Sequence, residues 1–417
     1  MQLLTFLGVF NLETTEFTWK NQSLLKSPYV VEALLKFNSI QKVTIFLTPQ
    51  AEQHENWKKL QTNLIQLNNI SVESVQINSG QGEEDFWQLF DAVVNSVESE
   101  SEIIFDITHA FRSIPFLAFL ATAFLQKAKA VTVKSIYYAA FERNQLQTPI
   151  VDLTPALELL DWLTATNRFV ETGDGQLVAN LLKAKIPSNE ELSHNLEARK
   201  LKANLKLAAE TIEAISIALA ITRPLETMTL ATKLEENLAK ATPSFAQKAQ
   251  PFNLLTEKIV KEYGQFALLK PSEQSQIPQN MHRQLKMIEW YLERQQIVQS
   301  VTLAREWIVS VLAFKFNEDI LNHSQGRKYV EIALNNASEK LKKNPREITP
   351  GRCDEMFESL PEANELAKLW SAITEIRNDI AHVGMKTQAQ TANNLKQKVE
   401  SLYPRLLQLG NQLLPNE

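Results

Sequence analysis

The sequence predicts an α/β domain followed by an all-α region, and two observations carry that expectation. Over the first 140 residues, short β-rich runs alternate with helix-length stretches, the pattern of a parallel, doubly wound, Rossmann-like sheet. Beyond Leu153 the β pattern stops, and helical periodicity continues to the end.

Strands are expected, in order, at 3–10, 43–47, 71–77, 102–108 and 131–140, with helices near 28–37, 51–67, 84–98 and 113–128. The runs LLTFLGVF and IIFDIT are apolar on both faces, as central parallel strands covered by helices should be. The fourth helix has a defined start. Ser113 can cap it, and Pro115 stands in the first turn, where a missing N–H costs nothing. A helix over 155–168 leads to ETGDGQ (171–176), a turn-rich joint with two glycines. From 177 onward the pattern is helical, with breakers at Pro187, Pro224, Pro243 to Pro251, Pro271 to Pro278 and Pro345 to Gly351. The boundary is expected between 172 and 192, giving domains 1–175 and 176–417.

Composition narrows the class. A 44% apolar and 22% charged chain of 417 residues is globular in character and long enough for two cores. The single cysteine, Cys353, excludes an intrachain disulfide and fits a reducing compartment. The longest apolar run, 116–125, falls short of a bilayer span, and MQLLTFLGVF reads as a first strand, not a signal peptide. A cytoplasmic protein without membrane attachment is the expectation. The net charge of −5 hides an asymmetry: residues 1–180 carry 12 basic and 20 acidic residues, the remainder 31 and 28. Neither part is a general polyanion binder, so any phosphate ligand of the first needs a local site.

One such site is marked by EIIFDITHAFRSIP, which runs out of a buried strand into a helix start. In doubly wound sheets ligands sit beyond the carboxyl ends of strands, where free helix N–H groups suit phosphate. Thr108, His109, Arg112 and Ser113 supply donors there, and Arg112 can grip a phosphate with paired hydrogen bonds. A plainer reading has Asp106 orienting His109 or capping local backbone groups. No second His or Cys lies at metal-ligand spacing, and the loop after strand one holds Gly8 but no GxGxxG, so neither a metal nor a dinucleotide is expected.

DITHAFRS resembles the DxTHG signature of CARF domains, sensors of cyclic oligoadenylates in type III CRISPR systems. FLGVFN resembles that family's first ligand loop, and IVDLTPALELLDW (150–162) its exit from the sheet. The resemblance implies ligand contacts at Gly8, Phe10, Asn11, Thr48, Thr108, His109, Ala110, Phe111, Arg112 and Ser113. Ala110 departs from the family's glycine, which matters if the position needs positive φ or close ligand approach.

A second constellation lies in LWSAITEIRNDIAHVG. At about 100° per residue, Leu369, Ile373, Ile376, Ile380 and Val383 share an apolar arc. Ser371, Asn378 and His382 face the other way, with Arg377 at the flank and Gly384 placed to end the helix. This can be an ordinary solvated face. It can also be a site for RNA cleavage by the 2′-OH, which needs a proton mover such as His and a cation such as Arg, without metal. RNDIAH is similar to the Rx4–6H motif of HEPN ribonucleases, and the order CARF then HEPN matches the order here. The resemblance implies that Arg377 and His382 are catalytic, that Asn378 positions them, and that the chain works as a homodimer or an assembly of dimers.

The expectation is therefore an endoribonuclease activated by a cyclic oligoadenylate, cyclic tetra-adenylate first, acting on single-stranded RNA with no other cofactor. Two alternatives stand: a ring nuclease that degrades the activator, and a non-enzymatic ligand-responsive regulator. Among weaker features, the basic stretch 281–352 can guide RNA but reads as a solvated surface. Trp290, Tyr291 and Trp307 read as core, and His323 as a secondary contact at most.

Overall fold

A computed structural model describes residues 1–67, 69–78, 82–109, 114–142, 145–193, 195–385, 387 and 389–415. The chain forms two compact units, Met1–Asp161 and Trp162–Glu417.

The first unit runs β1 (Gln2–Leu7), β2 (Thr15–Trp19), β3 (Gln22–Ser27), α1 (Val30–Phe37), β4 (Lys42–Leu47), α2 (Pro49–Gln53), α3 (Glu55–Ile65), β5 (Ser71–Gln76), α4 (Glu83–Asn95), β6 (Glu102–Asp106), α5 (Ile114–Ala128), β7 (Thr132–Ala139) and β8 (Gln147–Asp152). Its sheet has the order β3-β2-β8-β7-β6-β1-β4-β5. The run β5-β4-β1-β6-β7 is parallel. Side chains alternate across it: Leu3 and Leu7 enter one apolar core with Leu34, Val43 and Leu60, while Leu4 and Phe6 enter another with Phe105, Leu89 and Leu125. Helices cover both faces, which is why the central strands are apolar throughout.

The five expected strands are these parallel ones. The sheet as a whole is mixed, because three strands escape the sequence pattern. β2 and β3 form a hairpin about Lys20 and Asn21, both at positive φ (50° and 64°), without the Asn-Gly that announces such a turn. β8 contains Pro149, a residue that argues against a strand, yet it pairs antiparallel with β7 and parallel with β2.

Helix α6 (Pro155–Thr172) begins in the first unit and ends in the second. Leu157 belongs to the sheet core, whereas Trp162, Ala165 and Phe169 belong to the helical core. The division at 161/162 therefore lies inside a helix, earlier than the glycine joint at 171–176. That joint does exist as a helix end, with Gly173 at φ 81°. A packing boundary inside one continuous helix leaves no turn signal in the sequence.

The second unit runs α7 (Gln176–Ala184), α8 (Asn189–Ser193), α9 (Leu196–Ala220), α10 (Pro224–Lys248), α11 (Gln250–Gly264), α12 (Ile277–Glu293), α13 (Ile297–Lys315), α14 (Lys328–Lys340), α15 (Asp354–Glu358), α16 (Ala363–Ala381) and α17 (Ala392–Leu413). A π-helical turn, His323–Arg327, precedes α14. Pro243 does not break α10 but lies within it, as Pro404 lies within α17; the buried faces of these long helices outweigh a local cost of ~3 kcal/mol. Helix α13 is apolar and long enough, by composition alone, to cross a bilayer, but most of it is buried in the helical core. Trp290, Tyr291 and Trp307 are core residues, as expected.

Candidate functional site

The chain runs from β1 outward to β4 and β5, then crosses to β6 and β7 on the other side. The order reverses between β1 and β6, and doubly wound sheets place their ligand crevice beyond the carboxyl ends of the strands at such a point. Two loops flank it, one after Leu7 and one after Asp106.

Asp106 closes β6 and is fully buried. Thr5 on β1 donates its hydroxyl to Asp106 Oδ2 at 2.6 Å, and the Thr108 amide donates to Oδ1 at 3.0 Å. The Thr108 hydroxyl donates to the same Oδ1 at 2.5 Å and accepts from the Ala139 amide at 2.9 Å. This corrects one expectation. Thr108 offers no free proton to a ligand, because its hydroxyl ties the loop to β6 and β7. Asp106 is a loop organiser, as the plainer reading had it.

His109 follows, and its Nε2 is buried without a hydrogen-bond partner among the described residues. Burial pushes its imidazole below the usual histidine value, against the pull of the Asp106 carboxylate. Burial raises the Asp106 carboxyl above its ordinary value, opposed by His109 and by the threonine hydrogen bonds. Both shifts favour uncharged forms. Ala110, Phe111, Arg112 and Ser113, and with them the expected phosphate grip and helix cap, lie outside the described residues.

On the opposite side, a Cβ at Gly8 would stand 2.7 Å from the Phe10 ring and 3.6 Å from the His109 carbonyl oxygen. Glycine makes room for the Phe10 ring of its own loop, while the distance to the His109 carbonyl is one that a Cβ would tolerate. Phe10 and Asn11 are exposed, and Asn56 on α3 holds the loop by donating Nδ2 to the Phe10 carbonyl at 2.7 Å. Leu7 pairs with Leu47, which places Thr48 next to Gly8 at the end of β4. Thr48 caps α2, its hydroxyl accepting from the Ala51 amide at 3.2 Å. Gly8, Thr48, Thr108 and His109 thus come to one sheet edge. Thr5 and Asn56 were missed from the sequence, where a Thr in an apolar strand and an Asn in a helix carry no motif.

In the helical unit, Arg377 and Asn378 are exposed on α16, and His382 is its exposed C-cap. Their side chains make no hydrogen bond or ion pair among the described residues. Leu369, Ile373 and Ile376 are buried as expected, but Val383 is 74% exposed. Helical rotation stops before it: Val383 has φ 48° and Gly384 φ 71°. The Gly384 amide bonds the Asp379 carbonyl and the Val383 amide bonds the Ile380 carbonyl, a Schellman end. Two left-handed residues end the helix: Val383 comes first, and Gly384 follows and closes the motif. Beside this end, a groove of about 770 Å³ runs between α16 and α17, lined by Glu375, Gln390, Asn394 and Lys398 among others.

The fold defines the first unit as an α/β domain of the doubly wound class, followed by a helical region. Comparison with known proteins gives it a family: residues 2–142 match the model described as CRISPR system endoribonuclease Csx1, CARF domain. The N-terminal unit is therefore a mixed-sheet α/β domain of the CARF type. Residues 158–276 match the model of CRISPR-associated protein MJ1674, second domain. The chain is also 31% identical over 147 residues to CRISPR-associated protein MJ1674 of Methanocaldococcus jannaschii, a match covering 33% of this chain and 23% of that protein. The chain thus spans about a quarter of that relative's length. None of the matched family spans reaches Arg377 or His382.

Proposed function

We propose that the chain is a ligand-activated endoribonuclease of CRISPR defence. Its CARF domain binds a cyclic oligoadenylate, cyclic tetra-adenylate first among them, and its helical unit then cleaves single-stranded RNA as a HEPN-type homodimer. One observation carries the cleavage reading: the RNDIAH segment puts Arg377, Asn378 and His382 on an exposed helix end, with no partner among the described residues claiming them. Unpaired polar groups are what substrate and a second copy would engage.

In this reading a histidine takes the proton of the 2′-OH, whose oxygen attacks the adjacent phosphorus. The 5′-oxygen leaves and takes up a proton, giving a 2′,3′-cyclic phosphate and a 5′-hydroxyl. Arg377 compensates the charge that builds on the phosphoryl oxygens. Among the described residues, no three His, Cys, Asp or Glu side chains converge as metal ligands. Cleavage is expected to persist in excess EDTA; loss of activity restored by Mg²⁺ or Mn²⁺ would show that the chemistry is metal-assisted.

The principal test is a fluorescent RNA cleavage assay against cyclic tri-, tetra- and hexa-adenylate, with His382→Ala alongside. The variant should lose cleavage while binding activator normally in calorimetry, and full activity in it would remove His382 from the reaction. A second reading, degradation of the activator in the CARF domain, is favoured by the buried, unpartnered Nε2 of His109 at the crevice. It requires that activator be consumed during incubation with His382→Ala.

A further inference from the structure

A cavity of about 450 Å³ opens in the helical unit between the α9–α10 turn, α12, α13 and the segment leading into the π-helical turn. It shares no residue with the crevice of the CARF domain or with the Arg377–His382 segment. Its size falls within the range of small-ligand sites. Most of its wall is apolar, formed by Pro224, Leu225, Met281, Leu303 and Ile320.

Its polar floor has a fixed direction. Asn280 and Gln284, one turn apart on α12, are both buried. Asn280 Nδ2 donates to the Pro271 carbonyl at 2.8 Å, and a carbonyl can only accept, so Asn280 must present Oδ1 on its other side. Gln284 Nε2 donates to that Oδ1 at 2.7 Å. Gln284 Oε1 is therefore the atom left over, and among the described residues no protein group donates to it. The floor offers a ligand one oriented acceptor.

The rim offers a cation. Arg223 is exposed and makes no side-chain bond or ion pair among the described residues. The other arginine of the cavity, Arg327, is spent: it holds Ser310, the Ile320 carbonyl and the Glu306 carboxylate. Thr222 on the rim takes φ 56° as the left-handed end of α9, its amide bonding the Leu219 carbonyl and that of Arg223 the Ala218 carbonyl, which fixes where Arg223 leaves the helix.

A largely apolar cavity, one buried amide oxygen in its lining and one rim cation match a nucleotide. We propose that this cavity binds a nucleoside monophosphate unit whose base carries an exocyclic amino group, the amino group donating to Gln284 Oε1 and the phosphate resting at Arg223. The unit is either a free nucleotide or one residue of an RNA strand.

The test is calorimetric titration of the full chain with AMP and with purine riboside 5′-monophosphate, which lacks the amino group. AMP binding is expected to weaken about tenfold in Arg223→Ala and in the volume-preserving Gln284→Met, and to survive in His109→Ala. The purine riboside nucleotide should bind about tenfold more weakly than AMP. Absence of AMP binding, indifference to Arg223→Ala, or loss of binding in His109→Ala would each overturn the proposal. Arg223 is at the surface, so that arm stands even if Gln284→Met does not fold. A 2′-O-methyl adenylate hexamer, which lacks the attacking hydroxyl, distinguishes the sources: competition with AMP assigns the site to an RNA strand, and its absence to a free nucleotide.

Discussion

At the scale of single residues, the CARF crevice is organised by groups that a ligand need never touch. Asp106 spends its oxygens on Thr5 and Thr108, and Thr108 spends its hydroxyl on Asp106 and Ala139. His109 is left with a buried nitrogen and no partner among the described residues. Its folded value lies below 6.5, so between that value and 6.5 the unfolded chain holds the extra proton. Stability from this group is full above 6.5 and is lost as pH falls through the folded value. Asp106 has the opposite sign: its folded value lies above 3.8, so its contribution falls as pH rises from 3.8 through that value. His109→Gln should flatten the loss of thermal stability on acidification below pH 6.5. An anionic activator reaching this imidazole would favour its charged form, so binding should take up protons. Calorimetry in buffers of different ionisation enthalpy reads this directly, and identical enthalpies would place the phosphates away from His109.

At the scale of elements, the end of α16 carries a strain that glycine usually relieves. Val383 adopts a left-handed conformation costing an L-residue ~1–2 kcal/mol, while its side chain is mostly in solvent and returns little packing. Val383→Gly should stabilise the helical unit by ~0.5–1 kcal/mol after glycine's greater unfolded-state entropy is counted. A lower melting temperature in the variant would show that Val383 packs against something in the working assembly. The same helix shows what sequence can tell. Leu369, Ile373 and Ile376 were readable as a buried arc because a helix repeats its faces, but the arc was carried one step too far, past the point where rotation stops. The five parallel strands were legible because burial on both faces makes them apolar throughout. β2, β3 and β8 were not, since short strands with polar residues and a proline resemble loops. In the crevice, DITH was legible as a site but not as a division of labour. That Thr108 faces inward depends on β7, some 30 residues away.

At the scale of the whole molecule, the proposal assigns the activity to two chains. On an ideal helix Arg377 and His382 are separated by about 140°, so two opposed copies supply acid, base and phosphate clamp more simply than one. The CARF unit gives a surface for such pairing. Phe116, Leu120 and Phe124 repeat every fourth residue on α5 and remain exposed, and Phe124 lies 5.1 Å from the Phe90 ring on α4, next to exposed Trp87. Helix α5 starts within a few residues of His109, so a twofold contact along it would bring two ligand loops toward one rotationally symmetric ring. Two donor sets converging on one ring would also explain how a strongly acidic sensor half holds a polyanion. Leu120→Glu with Phe124→Glu should therefore yield a monomer by light scattering, folded by circular dichroism, that binds activator weakly and does not cleave RNA even at saturating ligand. A monomer cleaving at the dimer's rate would show that each chain carries a complete site, and the opposed pair of Arg377 and His382 would have to be abandoned.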